Sequence, residues 1–156
     1  MKNYNQLFRE LGFLIGHTGR ALKNSITKSF AEHGYEVTAE QWGILMSLWS
    51  KDGISQQVLS ASISKEKTTV VRLIDNMEKR NIIVRVQDAG DRRNNLIYLT
   101  EEGKSLREKL VPIAINELRK ALKNMSEKEI DTLTTLLKKV YNNLKTDKCL
   151  ENEKIE

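Results

Sequence analysis

Residues 64–99 read SKEKTTVVRLIDNMEKRNIIVRVQDAGDRRNNLIYL, and the change of period inside this stretch decides the fold. From Ser64 to Arg80 the apolar residues recur at helical spacing, with Val70, Ile74 and Met77 on one face. Lys65, Lys67, Thr68, Thr69, Arg72 and Asn76 fall mostly on the other. Asn81 is a suitable left-handed stop, because Asn tolerates that conformation better than most residues. The pattern then turns β-branched, in residues 82–86 and again in 96–99. Between them residues 88–95 are rich in turn formers. The spacing predicts a helix followed by a β-hairpin with Arg92 and Arg93 at its tip.

Working upstream, Ser55 is placed to cap a short helix with Val58, Leu59 and Ile63 inward. Thr38 and Gln41 have the spacing of a capping box that opens a helix with a buried stripe of Trp42, Leu45, Met46 and Trp49. Gly53 follows where a left-handed residue belongs. Apolar steps of three and four from Leu7 to Phe30 predict a long amphipathic helix over about residues 5–33. Gly12, Gly16 and Gly19 lie within it, spaced to let another helix approach closely. Downstream, Thr100 caps a helix running to about Asn124, its first turn carrying Glu101 and Glu102. Pro112 inside it is expected to kink it by removing a backbone donor and crowding the preceding turn. Ser126 and Glu129 form a second capping box. The helix they open carries Ile130, Leu133, Leu136, Leu137, Val140, Tyr141 and Leu144, and ends in a polar tail from about Thr146.

These elements make a mostly α chain with a small β-hairpin. The expected division is 1–36 (N-terminal helix), 37–99 (a helix–turn–helix with the hairpin as its wing), 100–146 (C-terminal helices) and 147–156 (polar tail). The long helices at both ends exceed what a compact 37–99 lobe needs for its core, which points to self-association. The 156 residues are ample for such a lobe plus a dimerisation region. No apolar run of about 18 residues is present, so no membrane partner is expected. The lone Cys149 has no partner for an internal disulfide, which fits a reducing cytoplasm.

The net charge is +5, and residues 65–93 hold eight Lys/Arg against five Asp/Glu, a surplus of three. Basic charge therefore concentrates where the helix and hairpin lie, as expected for a nucleic-acid partner. Hydroxyls, an amide and a guanidinium on an exposed helix face match base edges and phosphates of a major groove. Arginines at the tip of a short ribbon suit a narrow minor groove, where the potential is most negative. Asp91 would repel phosphate there, so its expected role is wing support, pairing with one of the arginines.

With those residues in hand, a resemblance is plain. The run Lys67 to Arg80 resembles the second, recognition helix of the MarR family of bacterial winged helix-turn-helix regulators. Asp88 to Arg93, followed by Leu96 to Gly103, resembles that family's wing and the start of its next helix. Three positions depart from the family pattern: Val71 where Thr is frequent, Asn81 for Gly, and Ala89 for Pro. The resemblance implies a homodimer with intertwined first and last helices, acting as a repressor on a pseudo-palindromic double-stranded DNA operator. It assigns Thr68, Thr69 and Arg72 to the major groove and Ser64, Lys65 and Lys67 mainly to the backbone. Arg92 and Arg93 divide minor-groove contact and wing support.

The resemblance also implies a small aromatic or anionic effector. The corresponding region holds His17, Arg20, Tyr35, Trp42, Met46 and Trp49. Its apolar members read more readily as core, while His17 and Arg20 suit an anion or a helix-surface or interface pair equally. No cofactor or metal is called for. With His17 and His33 the only histidines, and no Gly-rich phosphate loop or ligand cluster, an enzyme has poor support. A winged helix serving only protein docking is the remaining alternative, and its binding would respond little to salt.

Overall fold

Two buried faces, one helical and one stranded, organise the N-terminal unit in a computed structural model that describes residues 3–152 apart from 64, 92 and 93. The chain forms two units, 1–118 and 119–156. In the first, α1 (Tyr4–Leu7) passes through a π turn (Phe8–Gly12) into α2 (Phe13–Glu32). Leu7, Gly12 and Phe13 all keep right-handed helical dihedrals, so the expected long helix is continuous. Next come α3 (Ala39–Ser50), β1 (Ile54–Ser55), α4 (Gln56–Ser62) and α5 (Lys67–Lys79). Strands β2 (Ile83–Gln87) and β3 (Asn95–Leu99) and helix α6 (Glu101–Ala121) follow. The second unit is built on α7 (Glu127–Asn152).

The boundaries follow from local chemistry. Thr38 completes its capping box: its hydroxyl accepts from Gln41 N at 3.2 Å, and Gln41 Oε1 accepts from Thr38 N at 3.0 Å. Ser55 accepts from Val58 N, and Thr100 from Gly103 N. Ser126 N donates to Glu129 Oε2 at 2.8 Å, and the Ser126 bonds hold the Glu129 carboxyl below its ordinary range. Gly53 (φ 70°) and Asn81 (φ 55°) are left-handed, as the sequence required. Helix α6 runs through Pro112, and α7 continues to Asn152, past the expected start of the tail.

The sheet has order β1-β3-β2, antiparallel throughout. Strand β1 adds to the expected hairpin, pairing Ile54 with Ile97 and Ser55 with Leu96. Cross-strand pairs Ile83–Leu99 and Arg85–Ile97 lie on the sheet's inner face. There Ile83, Ile97 and Leu99 join Val70, Ile74 and Met77 of α5, Ile44, Leu45 and Leu48 of α3, Leu59, Phe30 and Leu110 in one core. Two inward assignments are corrected: Met46 is 47% exposed and Val58 55%. In α3 Ile44 and Leu48 take core places beside Leu45 instead, and in α4 Leu59, expected inward, is the buried residue.

Both ends of the chain leave apolar surface uncovered. On the N-terminal helix Leu11, Phe13, Leu14 and Ile15 are exposed. On α7 Leu133, Leu136, Leu137, Val140, Tyr141 and Leu144 are exposed as well.

Candidate nucleic-acid interface

Helix α5 has a buried and an open side. Val70, Ile74 and Met77 are fully buried, so rotation of the helix about its axis is fixed. Lys67, Thr68, Thr69 and Arg72 are exposed on the far side, and among the described residues none has an intramolecular hydrogen-bond or ion-pair partner for its side chain. Their donors and acceptors are available to another molecule. The helix starts at Lys67, after an extended Glu66 that makes no side-chain cap, rather than at Ser64–Lys65. The reason is a backbone tie, Lys65 N to Ser60 O at 3.2 Å, which holds Lys65 in the turn between α4 and α5. Ser64 lies outside the described residues.

Two of the expected contact residues carry internal bonds. Lys65 Nζ lies 3.4 Å from Glu40, in an exposed pair worth little. Glu40's own backbone bond, against burial and with help from Lys65, keeps its carboxyl below the usual range. Asn76 Oδ1 accepts from Gln41 Nε2 at 2.9 Å. Gln41 is 5% exposed and its carbonyl already serves the Thr38 cap, so this bond ties the start of α3 to α5. Asn76→Ala is expected to cost about 1–3 kcal/mol of stability, because a buried amide donor loses its partner. Denaturant unfolding checks it; an unchanged midpoint would mean that water replaces the bond.

The wing is braced from its base. Asp88 N donates to Asn94 O, Asn94 N to Asp91 O, and Gly90 N to Asp88 Oδ1. The Asp91 carboxylate accepts from Asn94 Nδ2 at 2.8 Å. Asp91 thus supports the loop through Asn94; the expected arginine partners, Arg92 and Arg93, lie outside the described residues. A cleft of about 230 Å³, which sequence reasoning missed, is lined by Gln56, Gln57, Ser60, Lys67, Asn94 and Asn95. It joins α4, the start of α5 and the wing base with amides, a hydroxyl and an ammonium, and its lining has no carboxylate. Its one sequence signal is the adjacent pairs Gln56–Gln57 and Asn94–Asn95.

Behind the interface, Arg85 of β2 pairs with both Asp75 and Glu78 of α5. Burial opposes its charge, but the bonds to Asp75 and Glu78 outweigh it and raise the guanidinium's pKa.

The six candidate effector residues do not form one site. His17 and Arg20 border an open cleft of about 690 Å³ with Arg9, Gly12, Phe13 and Gly16, the His17 ring stacked 3.8 Å from Phe13. Tyr35 borders separate clefts beside Val37 and Arg80. Trp42 and Trp49 pack against the core, with Trp42 5.1 Å from Phe30 and 5.6 Å from Trp49, and Trp49 Nε1 donates to Gly103 O. Met46 joins neither group, being exposed. The tryptophans are half-buried against the core, Trp42 where α2 packs on α3 and Trp49 beside the start of α6. Among the described residues there is no cluster of His, Cys, Asp or Glu able to hold a metal, and no helix is long and apolar enough to cross a membrane.

Comparison with known proteins agrees with this geometry. The MarR family profile matches residues 37–94, from the turn before α3 to the wing. The uncharacterized HTH-type transcriptional regulator YkoM of Bacillus subtilis (strain 168) is 30% identical over 108 residues, 69% of each chain. A putative MarR family transcriptional regulator from Listeria monocytogenes, solved with a 26mer DNA, is 30% identical with a TM-score of 0.76, covering 91% of this chain and 93% of that one. CouR from Rhodococcus jostii RHA1, solved with p-coumaroyl-CoA, shares the fold at 21% identity and a TM-score of 0.73, over 86% of this chain and 93% of that one. A buried-and-open α5, a braced wing and these relatives converge: the chain belongs to the MarR family of transcriptional regulators.

Proposed function

We propose that the protein binds a pseudo-palindromic operator in the cytoplasm as a homodimer and represses transcription until a small effector releases it. The observation that carries the reading is the outer face of α5, where the side chains of Lys67, Thr68, Thr69 and Arg72 are exposed and lack internal partners among the described residues. Thr68, Thr69 and Arg72 read base edges in the major groove, while Lys65 and Lys67 with Ser64 hold the backbone. The Gln56, Gln57 and Asn95 cleft receives a phosphate beside Lys67, and Arg92 and Arg93 divide minor-groove contact and wing support between them. The Listeria relative's complex with DNA supports this use of the fold.

Dimerisation rests on the exposed apolar residues of the N-terminal helix and α7, which a second copy covers. The proposed division of labour keeps the lobe 37–99 for DNA and the flanking helices for the dimer. For the effector we assign an aromatic or otherwise apolar anion to the cleft with Arg9, His17 and Arg20, which offers cations beside a stacked aromatic pair. That a relative of this fold holds p-coumaroyl-CoA supports the ligand class. Binding would act by favouring a dimer geometry whose recognition helices no longer match the groove spacing.

The test is selection of fragments from the source genome, with affinities measured across salt. An inverted repeat should be enriched, and affinity should fall steeply with salt. Arg72→Ala should weaken the selected site by about 1–3 kcal/mol and relax preference at one position in each half-site. Lys67→Ala should weaken all sequences alike and lower the salt slope by about one for each phosphate it no longer neutralises. Binding that is indifferent to salt and to Arg72 would favour a protein-docking role.

A further inference from the structure

Arg85 lies on the inner face of β2, paired across the strands with Ile97. Its Nη1 donates to Glu78 and its Nη2 to Asp75, while its backbone N–H donates to the other Glu78 oxygen at 3.1 Å. The Arg85 side chain is only 21% exposed. Asp75 and Glu78 stand three apart on α5 and therefore on one helix face. A planar guanidinium makes two directional bonds at once, which a lysine ammonium cannot reproduce.

Neither α5 nor the hairpin needs this triad to form, since Val70, Ile74, Met77, Ile83 and Ile97 already bury both. What the triad adds is a fixed angle between two elements joined only by residues 80–82. On the DNA-binding reading, those elements enter adjacent grooves, and their separation must match the groove spacing. We propose that Arg85 is a positioning residue, one that sets the wing against the recognition helix without touching DNA. The proposal rests on the DNA-binding reading and adds to it a residue the interface itself does not contain.

The test is a set of double-mutant cycles on a duplex carrying the selected inverted repeat, at a temperature where every variant is folded by circular dichroism. Arg85→Gln should weaken binding about tenfold, and Arg85→Lys by an intermediate factor. In a background lacking the tip arginines (Arg92→Ala with Arg93→Ala), Arg85→Gln should cost less than about twofold, because the contacts it positions are gone. In the Arg72→Ala background it should still cost about tenfold. Coupling to the tip but not to Arg72 is a pattern that general loss of stability does not produce. Equal cost in all three backgrounds, or no cost in any, overturns the proposal. A wild-type protein that fails to bind DNA at all overturns the reading beneath it, which is a separate result.

Discussion

Leu137→Glu is expected to give a monomer of 18.0 kDa in sedimentation equilibrium, where on the proposed dimer the wild type should run at twice that mass, and to lose operator binding. Leu133, Leu136, Leu137, Val140 and Leu144 recur at three- and four-residue steps on α7, and all are at least 39% exposed in the single chain. Burying such side chains is worth about 1.5–3 kcal/mol each, so a helix that leaves five of them in water is incomplete by itself. A carboxylate at the centre of the stripe would have to be desolvated without a partner, which costs several kcal/mol. The effect on DNA is larger than the effect on mass. A dimer binds its second half-site as an intramolecular event, and losing that linkage is expected to weaken operator binding by about 10²–10⁴-fold. The core of the first unit contains no residue of α7, so thermal unfolding of the DNA-binding lobe should survive the change. Leu14→Glu, at 57% exposure on the N-terminal helix, should give the same monomer. A Leu137→Glu protein that stays dimeric and binds DNA would show that the apolar face of α7 serves something else.

The parts of this molecule that are legible in the sequence are those decided within a few residues. The caps at Thr38, Ser55, Thr100 and Ser126, and the left-handed Gly53 and Asn81, rest on local hydrogen bonding and sterics, and all stand as read. Helix α5 alternates apolar and polar cleanly, so Val70, Ile74 and Met77 announce their burial. Helix α3 does not. Its run from Trp42 to Trp49 is apolar nearly all round, so the choice of Ile44 and Leu48 over Met46 is made by packing partners far away in sequence. Strand β1 has two residues and exists only because Ile97 lies alongside. The same limit applies at the interface. The exposed hydroxyls and cations of α5 are visible, but Gln41–Asn76 spans 35 positions, and no local rule forecasts it. The Arg85 triad spans seven and ten positions across a turn and a change of period. The residues that the resemblance grouped for an effector separate in the same way: His17 and Arg20 border one cleft while the tryptophans pack against the core, a division made by packing between distant segments.

Gly103→Ala shows how a residue of the family-like run Leu99-Thr100-Glu101-Glu102-Gly103 acts through geometry alone. Helix propensity favours alanine over glycine by about 1 kcal/mol, so in an open helix the substitution would stabilise. Here a Cβ would lie 2.0 Å from the Ile82 carbonyl oxygen and 3.1 Å from Leu99 Cδ2. The oxygen cannot retreat easily. It accepts from Thr100 N at 3.1 Å and from Thr100 Oγ1 at 3.0 Å, and Ile82 is only 4% exposed. Gly103 is pinned in turn: its N–H donates to Thr100 Oγ1, and its carbonyl accepts from Trp49 Nε1 at 3.0 Å. A methyl group therefore forces α6 away from the chain that leads into β2, breaking bonds at both ends. The expected loss is about 3 kcal/mol or more, beyond the usual range for a single methyl because backbone rather than side chain must move. For a chain of this size that corresponds to a fall in Tm of roughly 6–12 °C at fixed protein concentration. Gly19, where an added methyl would meet nothing within 4 Å in the single chain, provides the contrast: its change to Ala should leave unfolding of this lobe unharmed. If Gly103→Ala were as stable as the wild type, α6 would be free to shift against the hairpin, and the wing would be positioned by Arg85 and the sheet alone.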